Sequence, residues 1–243
     1  MKIRTLLLAL SMMIVPPAIA HTESYPHQHS PEGVDNILRL AHHEPDVESF
    51  SYDSMGCMLL QECTEGVDPI WGVGYLKEQY PNSDWTPVQE EFSRMLNALT
   101  LIDVQVYLAD ESYFPVGHRG VYHTVGNNFF LNRAFMHRPG VLMSVMRHEG
   151  WHAAQDCMAG TIDNTMIAII KPEEDVPMLW QEMVERTYPV SAQPWEKEAT
   201  WAGKTEGMTQ LALESCARGT MWTDYDPTPM TREWLVKNGY IKD

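Results

Sequence analysis

The chain has 243 residues, with 33 acidic against 17 basic side chains, a formal net charge of -16 and 44% hydrophobic residues. This length and hydrophobic content are sufficient for one sizeable domain with a packed core, and they exclude a wholly disordered chain. The charge argues against nucleic acids and anionic lipid surfaces as partners, because a surface of this sign repels both.

The first 20 residues are typical of a secretory signal peptide. Lys2 and Arg4 are followed by an apolar run over residues 6–15 and by Ala18-Ile19-Ala20, a small-residue cleavage site. The apolar run is too short to span a bilayer comfortably, and a membrane-anchored protein is the alternative. We therefore expect a secreted or periplasmic protein with no stable membrane insertion after signal cleavage.

All four cysteines follow the signal peptide, and an even number in an exported chain predicts disulfide bonds. Four cysteines allow three pairings, of which we favour Cys57 with Cys63 and Cys157 with Cys216. A zinc site built from these thiols is less favoured, because the chain has no Cys-x-x-Cys pair.

Two regions follow the signal peptide. Residues 21–83 begin with a polar leader and a short predicted helix at 34–40, and then we predict irregular structure pinned by the first disulfide. Residues 84–243 show helical and strand periodicity, and their order of elements indicates an α+β domain. In chain order the predicted elements are a helix at 84–99, strands at 101–108 and 121–135 with a turn at 126–128, and helices at 141–158, 178–186, 195–217 and 232–237.

The chemistry is concentrated in His148-Glu149-Gly150-Trp151-His152, which lies in the predicted helix at 141–158. Residues four apart share one face of a helix, so the two imidazoles can reach one metal ion. Zinc accepts such nitrogens and leaves a position open for water in hydrolytic sites. Glu149, next to the first histidine, can then take a proton from that water as a general base.

This run resembles the His-Glu-x-x-His motif of the zincin metallopeptidases, and residues 101–219 are similar to their minimal fold. The resemblance implies a small antiparallel sheet packed with the motif helix and further C-terminal helices. It also implies a zinc ion held by His148 and His152, Glu149 as the catalytic base, and a peptide or protein as the substrate.

The third zinc ligand separates the branches of that family. Metzincins carry Gly and His three and six positions after the second histidine, but Gln155 and Met158 stand there in this chain. Glu196-Lys197-Glu198-Ala199-Thr200 resembles the Glu-x-x-Ala ligand element of the gluzincins, with Glu196 as the ligand. Thr200 stands where many members carry Asp or Asn.

Two alternatives for the third ligand remain open. Glu198 lies beside Glu196, and on a helix the two point about 200° apart, so only one can face the metal. Gly160-Thr161-Ile162-Asp163 resembles the element from which aspzincins take an Asp ligand, although the Tyr-Gly pair expected after it is missing. Two further side chains, Tyr188 and His123, are candidate donors to a developing oxyanion.

The sequence therefore predicts an exported zinc-dependent metallopeptidase of gluzincin type. The alternative is a catalytically inactive zinc-binding or interaction protein on the same scaffold, which the intact Glu149 disfavours. In a third reading the motif is accidental in a disulfide-stabilised structural protein.

Overall fold

The structure is a computed structural model that describes residues 50–164 and 166–242. The predicted signal peptide, the polar leader up to residue 49 and the predicted helix at 34–40 lie outside the described residues. Nothing in the described residues therefore bears on those three predictions.

The described residues form nine α-helices and four strands, joined by three 3-10 turns. The helices are α1 Phe50–Leu59, α2 Val73–Gln79, α3 Gln89–Leu101, α4 Pro139–Met158, α5 Met178–Thr187, α6 Gln193–Ala202, α7 Met208–Ala217, α8 Met221–Asp224 and α9 Pro229–Lys237. The strands are β1 Val67–Pro69, β2 Gln105–Ala109, β3 Gly120–His123 and β4 Asn128–Asn132, and the 3-10 turns are Glu111–Tyr113, Ile162–Asn164 and Glu173–Asp175. The α+β class predicted from the sequence is confirmed.

The sheet is mixed, with the strand order β1-β2-β4-β3, so the prediction of an antiparallel sheet is wrong. Val67 pairs with Ala109 and Val121 with Phe130 in antiparallel ladders, whereas Val106 pairs with Phe129 in a parallel one. After β2 the chain crosses to the far edge as β3 and then turns back, which inserts β4 between β2 and β3. The reversal at this hairpin is what makes β4 run parallel to β2.

Helix α4 is the centre of the larger hydrophobic core. It packs against α3, α6 and α7 and against β3 and β4. Pro139 begins the helix, where its missing N–H costs nothing. Gly160 follows the end of the helix with a φ of 134°, a conformation that glycine adopts without a steric penalty. The predicted motif helix is confirmed almost to the residue.

A second, smaller core lies on the other side of the sheet. It contains Met55, Met58 and Leu59 of α1 together with Val121 and Phe130 of the sheet. Residues 50–83 thus contain two helices and a strand, and the prediction of irregular structure for this part is wrong. The local sequence did not indicate α1, because glycine and cysteine interrupt the apolar pattern of this helix. Tertiary packing against the sheet stabilises α1 instead.

The long helix predicted over residues 195–217 is two helices, α6 and α7. The chain bends between Gly203 and Gly207, and Gly207 precedes α7 with a left-handed φ of 78°. Both predicted disulfides are confirmed: Cys57 is bonded to Cys63, and Cys157 of α4 is bonded to Cys216 of α7. In the part of the chain that the structure describes, no helix has the length and apolarity needed to cross a bilayer.

Candidate metal centre

Helix α4 brings the two motif histidines together. His148 and His152 lie one turn apart, their ring centroids are 5.1 Å from each other, and the ring planes are nearly perpendicular at 84°. Both side chains are largely shielded from solvent, and both direct Nε2 towards α6. The spacing that the sequence predicted therefore yields a convergent pair of nitrogen donors.

Glu196 of α6 completes the group. Its Oε2 lies 3.2 Å from Nε2 of His148, and its Oε1 lies 3.6 Å from Nε2 of His152. One donor atom from each of the three residues falls within 4.8 Å of the others, so the group could hold a metal ion. Two imidazole nitrogens and one carboxylate oxygen form a donor set that suits zinc.

The hydrogen-bond geometry of the His152 ring supports a cation at this point. Its Nδ1 lies 2.7 Å from Oε1 of Gln155, an oxygen that can only accept, so Nδ1 carries the hydrogen. In the neutral ring the Nε2 lone pair then faces the Glu196 carboxylate. Two acceptors that face each other favour a positive ion between them, and this is the arrangement of a metal ligand.

Glu149 lies beside this group and is 8% exposed. Its Oε2 accepts a hydrogen bond of 3.1 Å from the backbone N–H of Tyr122, at the free edge of strand β3. No described residue donates a hydrogen bond to Oε1. Burial raises the pKa of Glu149, and the negative charge of Glu196 adds to this, against the opposing effects of the two histidines and the Tyr122 N–H. A raised pKa suits a carboxylate that must accept a proton.

The electrostatics of His148 differ from those of an ordinary buried histidine. Burial by itself lowers the pKa of His148, but the hydrogen bond and charge of Glu196, followed by the charge of Glu149, outweigh it and raise the pKa overall. The two carboxylates thus stabilise positive charge at this position, whether a proton or a metal ion carries it.

Glu198 does not reach the metal-binding group. It points into the interior and accepts hydrogen bonds from the backbone N–H groups of Ile170 and Lys171, at 3.1 Å and 2.7 Å. Its Oε1 also accepts a hydrogen bond from the Gln155 side chain, which in turn accepts from His152. Burial raises the pKa of Glu198 to about 7. Glu198 therefore holds His152 in place through Gln155 and lies outside the group that could hold a metal ion.

Glycine allows α6 to approach α4 closely enough for Glu196 to reach the histidines. A methyl group on Gly203 would lie 3.2 Å from Cβ of His148 and 3.2 Å from the carbonyl oxygen of Ser144. Lys197 fixes the other side of α6, since its almost buried ammonium pairs with Glu173 and Glu185. The glycine that weakens the helix signal in the sequence is thus a packing requirement of the site.

A second glycine sets the position of Glu149 against the sheet. A methyl group on Gly120 of β3 would lie 2.5 Å from Cγ1 of Val145 and 3.2 Å from Cγ of Glu149. No side chain larger than hydrogen fits at that distance without displacement. The close contact between β3 and α4 therefore depends on this residue.

The other predicted site residues fall in different places. Tyr188 lies directly after α5 and forms a hydrogen bond with Glu196. Burial raises the pKa of Tyr188 well above 10, and the charges of Glu196 and Glu149 add to this effect. The Tyr188 hydroxyl therefore keeps its proton. His123 lies on the opposite face of the sheet beside the Leu59 backbone, away from the group. Asp163 belongs to the 3-10 turn Ile162–Asn164, and its side chain lies outside the described residues.

Two contributors were missed by the sequence analysis: Gln155, and the backbone N–H of Tyr122. For Gln155 a local signal existed, because it follows His152 by three residues and must lie on the same face of the helix. For Tyr122 no local signal existed, because only the packing of β3 against α4 brings its N–H to Glu149.

No protein-family model matches the chain, and neither a curated protein nor a solved structure matches it. The geometry of the site is therefore the basis of the functional proposal.

Proposed function

We propose that the protein is a zinc-dependent metallopeptidase whose metal ion is held by His148, His152 and Glu196. The observation that carries the proposal is the convergence of these three donors, from α4 and α6, within 4.8 Å. The sequence motif alone supplied only two of them. The third comes from a residue 44 positions beyond His152, where the resemblance to the gluzincins places it.

The roles of the side chains follow from their positions. Zinc bound there would lower the pKa of water and polarise a substrate carbonyl group. Glu149 accepts the proton of the attacking water at Oε1, while the Tyr122 N–H holds Oε2 and so fixes the carboxylate plane. Tyr188 is the candidate donor to the developing oxyanion, because it lies at Glu196 and keeps its proton.

Export of the protein is part of the same proposal. Two disulfides support an oxidising compartment such as the periplasm or the extracellular space, because reducing conditions elsewhere keep thiols free. The protein would encounter both zinc and peptide substrates in such a compartment.

The first test is metal content followed by hydrolysis. The purified mature chain should contain one zinc ion per molecule, and it should cleave members of a quenched-fluorescence peptide library in a reaction that chelation stops and zinc restores. Glu149→Gln should keep the zinc and lose turnover by roughly 10²–10⁴-fold, the usual contribution of a general base. Glu233→Gln, an exposed charge on α9, is the matched control and should behave as the wild type.

The outcomes separate the two functions considered for this scaffold. Zinc without hydrolysis in the wild type would favour an inactive zinc-binding protein. Absence of zinc, or equal turnover by Glu149→Gln and the wild type, would refute the peptidase.

A further inference from the structure

Two basic side chains, Lys204 and Arg119, lie near the part of α4 that carries His148. Nζ of Lys204 donates a hydrogen bond of 2.8 Å to Oγ of Ser144, which lies one turn before His148 on α4. The preceding residue, Gly203, packs against Cβ of His148. The ammonium group therefore lies about one helical turn from a residue of the proposed metal site.

Arg119 approaches the same part of α4 from the sheet. It immediately precedes Gly120, which packs against Val145 and Glu149, and its guanidinium lies 5.4 Å from the centre of the Phe135 ring. Partial burial, and then the positive charges of Arg119 and Arg147, lower the pKa of Lys204. These charges are thus close enough to repel one another.

Among the described residues, one of the three cations is paired with a carboxylate. Arg147 forms a two-bond ion pair with Glu91 in the core. Of the residues at 50–164 and 166–242, none places a carboxylate within 4.0 Å of Arg119 or Lys204. Arg119 and Lys204 are both exposed, so an anionic ligand can reach them from solvent. A bound anion would remove the repulsion.

We propose that Arg119 and Lys204 form a carboxylate-binding subsite, so that the enzyme prefers peptides with a free carboxylate near the scissile bond. This inference rests on the proposed peptidase function and adds its substrate class. Arginine binds carboxylates through paired N–H groups, and lysine adds a second positive charge. Because the chain carries a net charge of -16, this pair would be a local point of attraction for an acidic segment.

Two kinds of peptide carry the required carboxylate: one with an Asp or Glu side chain, and one with its C-terminus at the subsite. A set of three otherwise identical peptides separates these sources. The first has a free C-terminus and Gln, the second an amidated C-terminus and Glu, and the third an amidated C-terminus and Gln. We expect the first or the second to be cleaved with a kcat/KM roughly 10-fold above that of the third, as for hydrogen bonds to charged groups.

The variants test the assignment to these residues. Lys204→Gln and Arg119→Gln should each reduce the ratio of kcat/KM for the carboxylate peptide to that for the neutral peptide, and the double variant should bring this ratio to about one. Lys204→Glu should reverse the preference. Ser144→Ala removes the partner of Lys204 but keeps its charge, so the preference should survive. Lys237→Gln on α9 is the matched charge control.

Binding provides a second readout. The zinc-loaded Glu149→Gln protein should bind the same three peptides in the same order by calorimetry, because it keeps the subsite but does not cleave. Equal values for all three peptides, or a preference that persists in the double variant, would overturn the subsite. Cleavage without any charge preference would leave the peptidase function standing, whereas zinc-loaded wild type that neither binds nor cleaves any of the peptides would overturn both.

Discussion

Strand β3 separates two regions that surround their histidines differently. Towards α4, Gly120 allows the close approach of Glu149, and the Tyr122 hydroxyl donates a 2.8 Å hydrogen bond to Asp156. Towards α1, Val121 and His123 face the smaller core. The same strand thus borders a polar, carboxylate-rich side and an apolar side.

The difference shows that burial alone does not favour positive charge on a histidine. His123 is 2% exposed, and burial lowers its pKa to about 4, against the smaller opposing effect of a hydrogen bond with the Leu59 backbone. His148 is also buried, yet Glu196 and Glu149 raise its pKa. Positive charge is stabilised on one side of the strand and excluded on the other.

The largest effect is expected from Glu196, the residue that makes the α4 side favourable for a cation. Glu196→Gln should weaken zinc binding by more than roughly 100-fold. Loss of a residue that binds the metal reduces the affinity more than loss of a residue that only hydrogen-bonds to a ligand. Glu198→Gln, two residues away on the same helix, should weaken it less. Competition with a chromophoric chelator measures both affinities, and equal losses would contradict the assignment of Glu196 as the ligand.

On the apolar side, His123 should make the free energy of unfolding depend on pH. The unfolded chain protonates His123 near its ordinary pKa of 6.5, whereas the folded chain does so only at about 4. The unfolded state therefore binds more protons across that window, and this residue alone should lower the free energy of unfolding by about 3 kcal/mol as pH falls from 7 to 4.

Replacing the histidine should remove that contribution. Urea unfolding of metal-free His123→Gln should show a pH dependence shallower than the wild type by this amount. His137→Gln, at an exposed histidine, serves as the control. An unchanged slope for His123→Gln would show that His123 does not titrate differently in the two states.

The next contrast is in hydrogen bonding, because His152 is held by a chain of side chains through Gln155 and Glu198, whereas His123 has a hydrogen bond with the Leu59 backbone. Gln155→Met keeps the length of the side chain but removes the acceptor for Nδ1, so zinc affinity should fall by roughly 10–100-fold. Cobalt substitution should also show an altered visible spectrum, which a loss of stability alone would not cause. Gln105→Met, at an exposed position of β2, is the control, and an unaltered cobalt spectrum in Gln155→Met would exclude the positioning role.

The smallest effect is expected where β3 touches α4. Gly120→Ala should displace Val145 and Glu149, which would lower turnover by about 10-fold and cost about 1–3 kcal/mol of stability while zinc remains bound. Gly140→Ala, at an open position in the first turn of α4, should be tolerated. Full activity in Gly120→Ala would show that Glu149 does not depend on this contact.

Local patterns predicted much of the helical part of the fold. Residues 139–158 form one helix because proline opens it, glycine follows its end and no proline interrupts it. The disulfide pairing was also predicted. Helix α1 and the parallel pairing of β2 with β4 were not, because the first is stabilised by packing against the sheet and the second joins segments that are not adjacent in the chain.

The sequence by itself determined that His148 and His152 share a face and that Glu149 stands beside them, because helical geometry fixes relations over four residues. Through the resemblance to the gluzincins it favoured Glu196 as the third partner, with Glu198 and Asp163 as alternatives. Only the tertiary structure turned Glu196 towards the histidines and Glu198 into the interior, and only it placed His123 on the far side of the sheet. Those choices depend on how α6 and β3 pack against α4, and such packing is set by contacts between residues far apart in the chain.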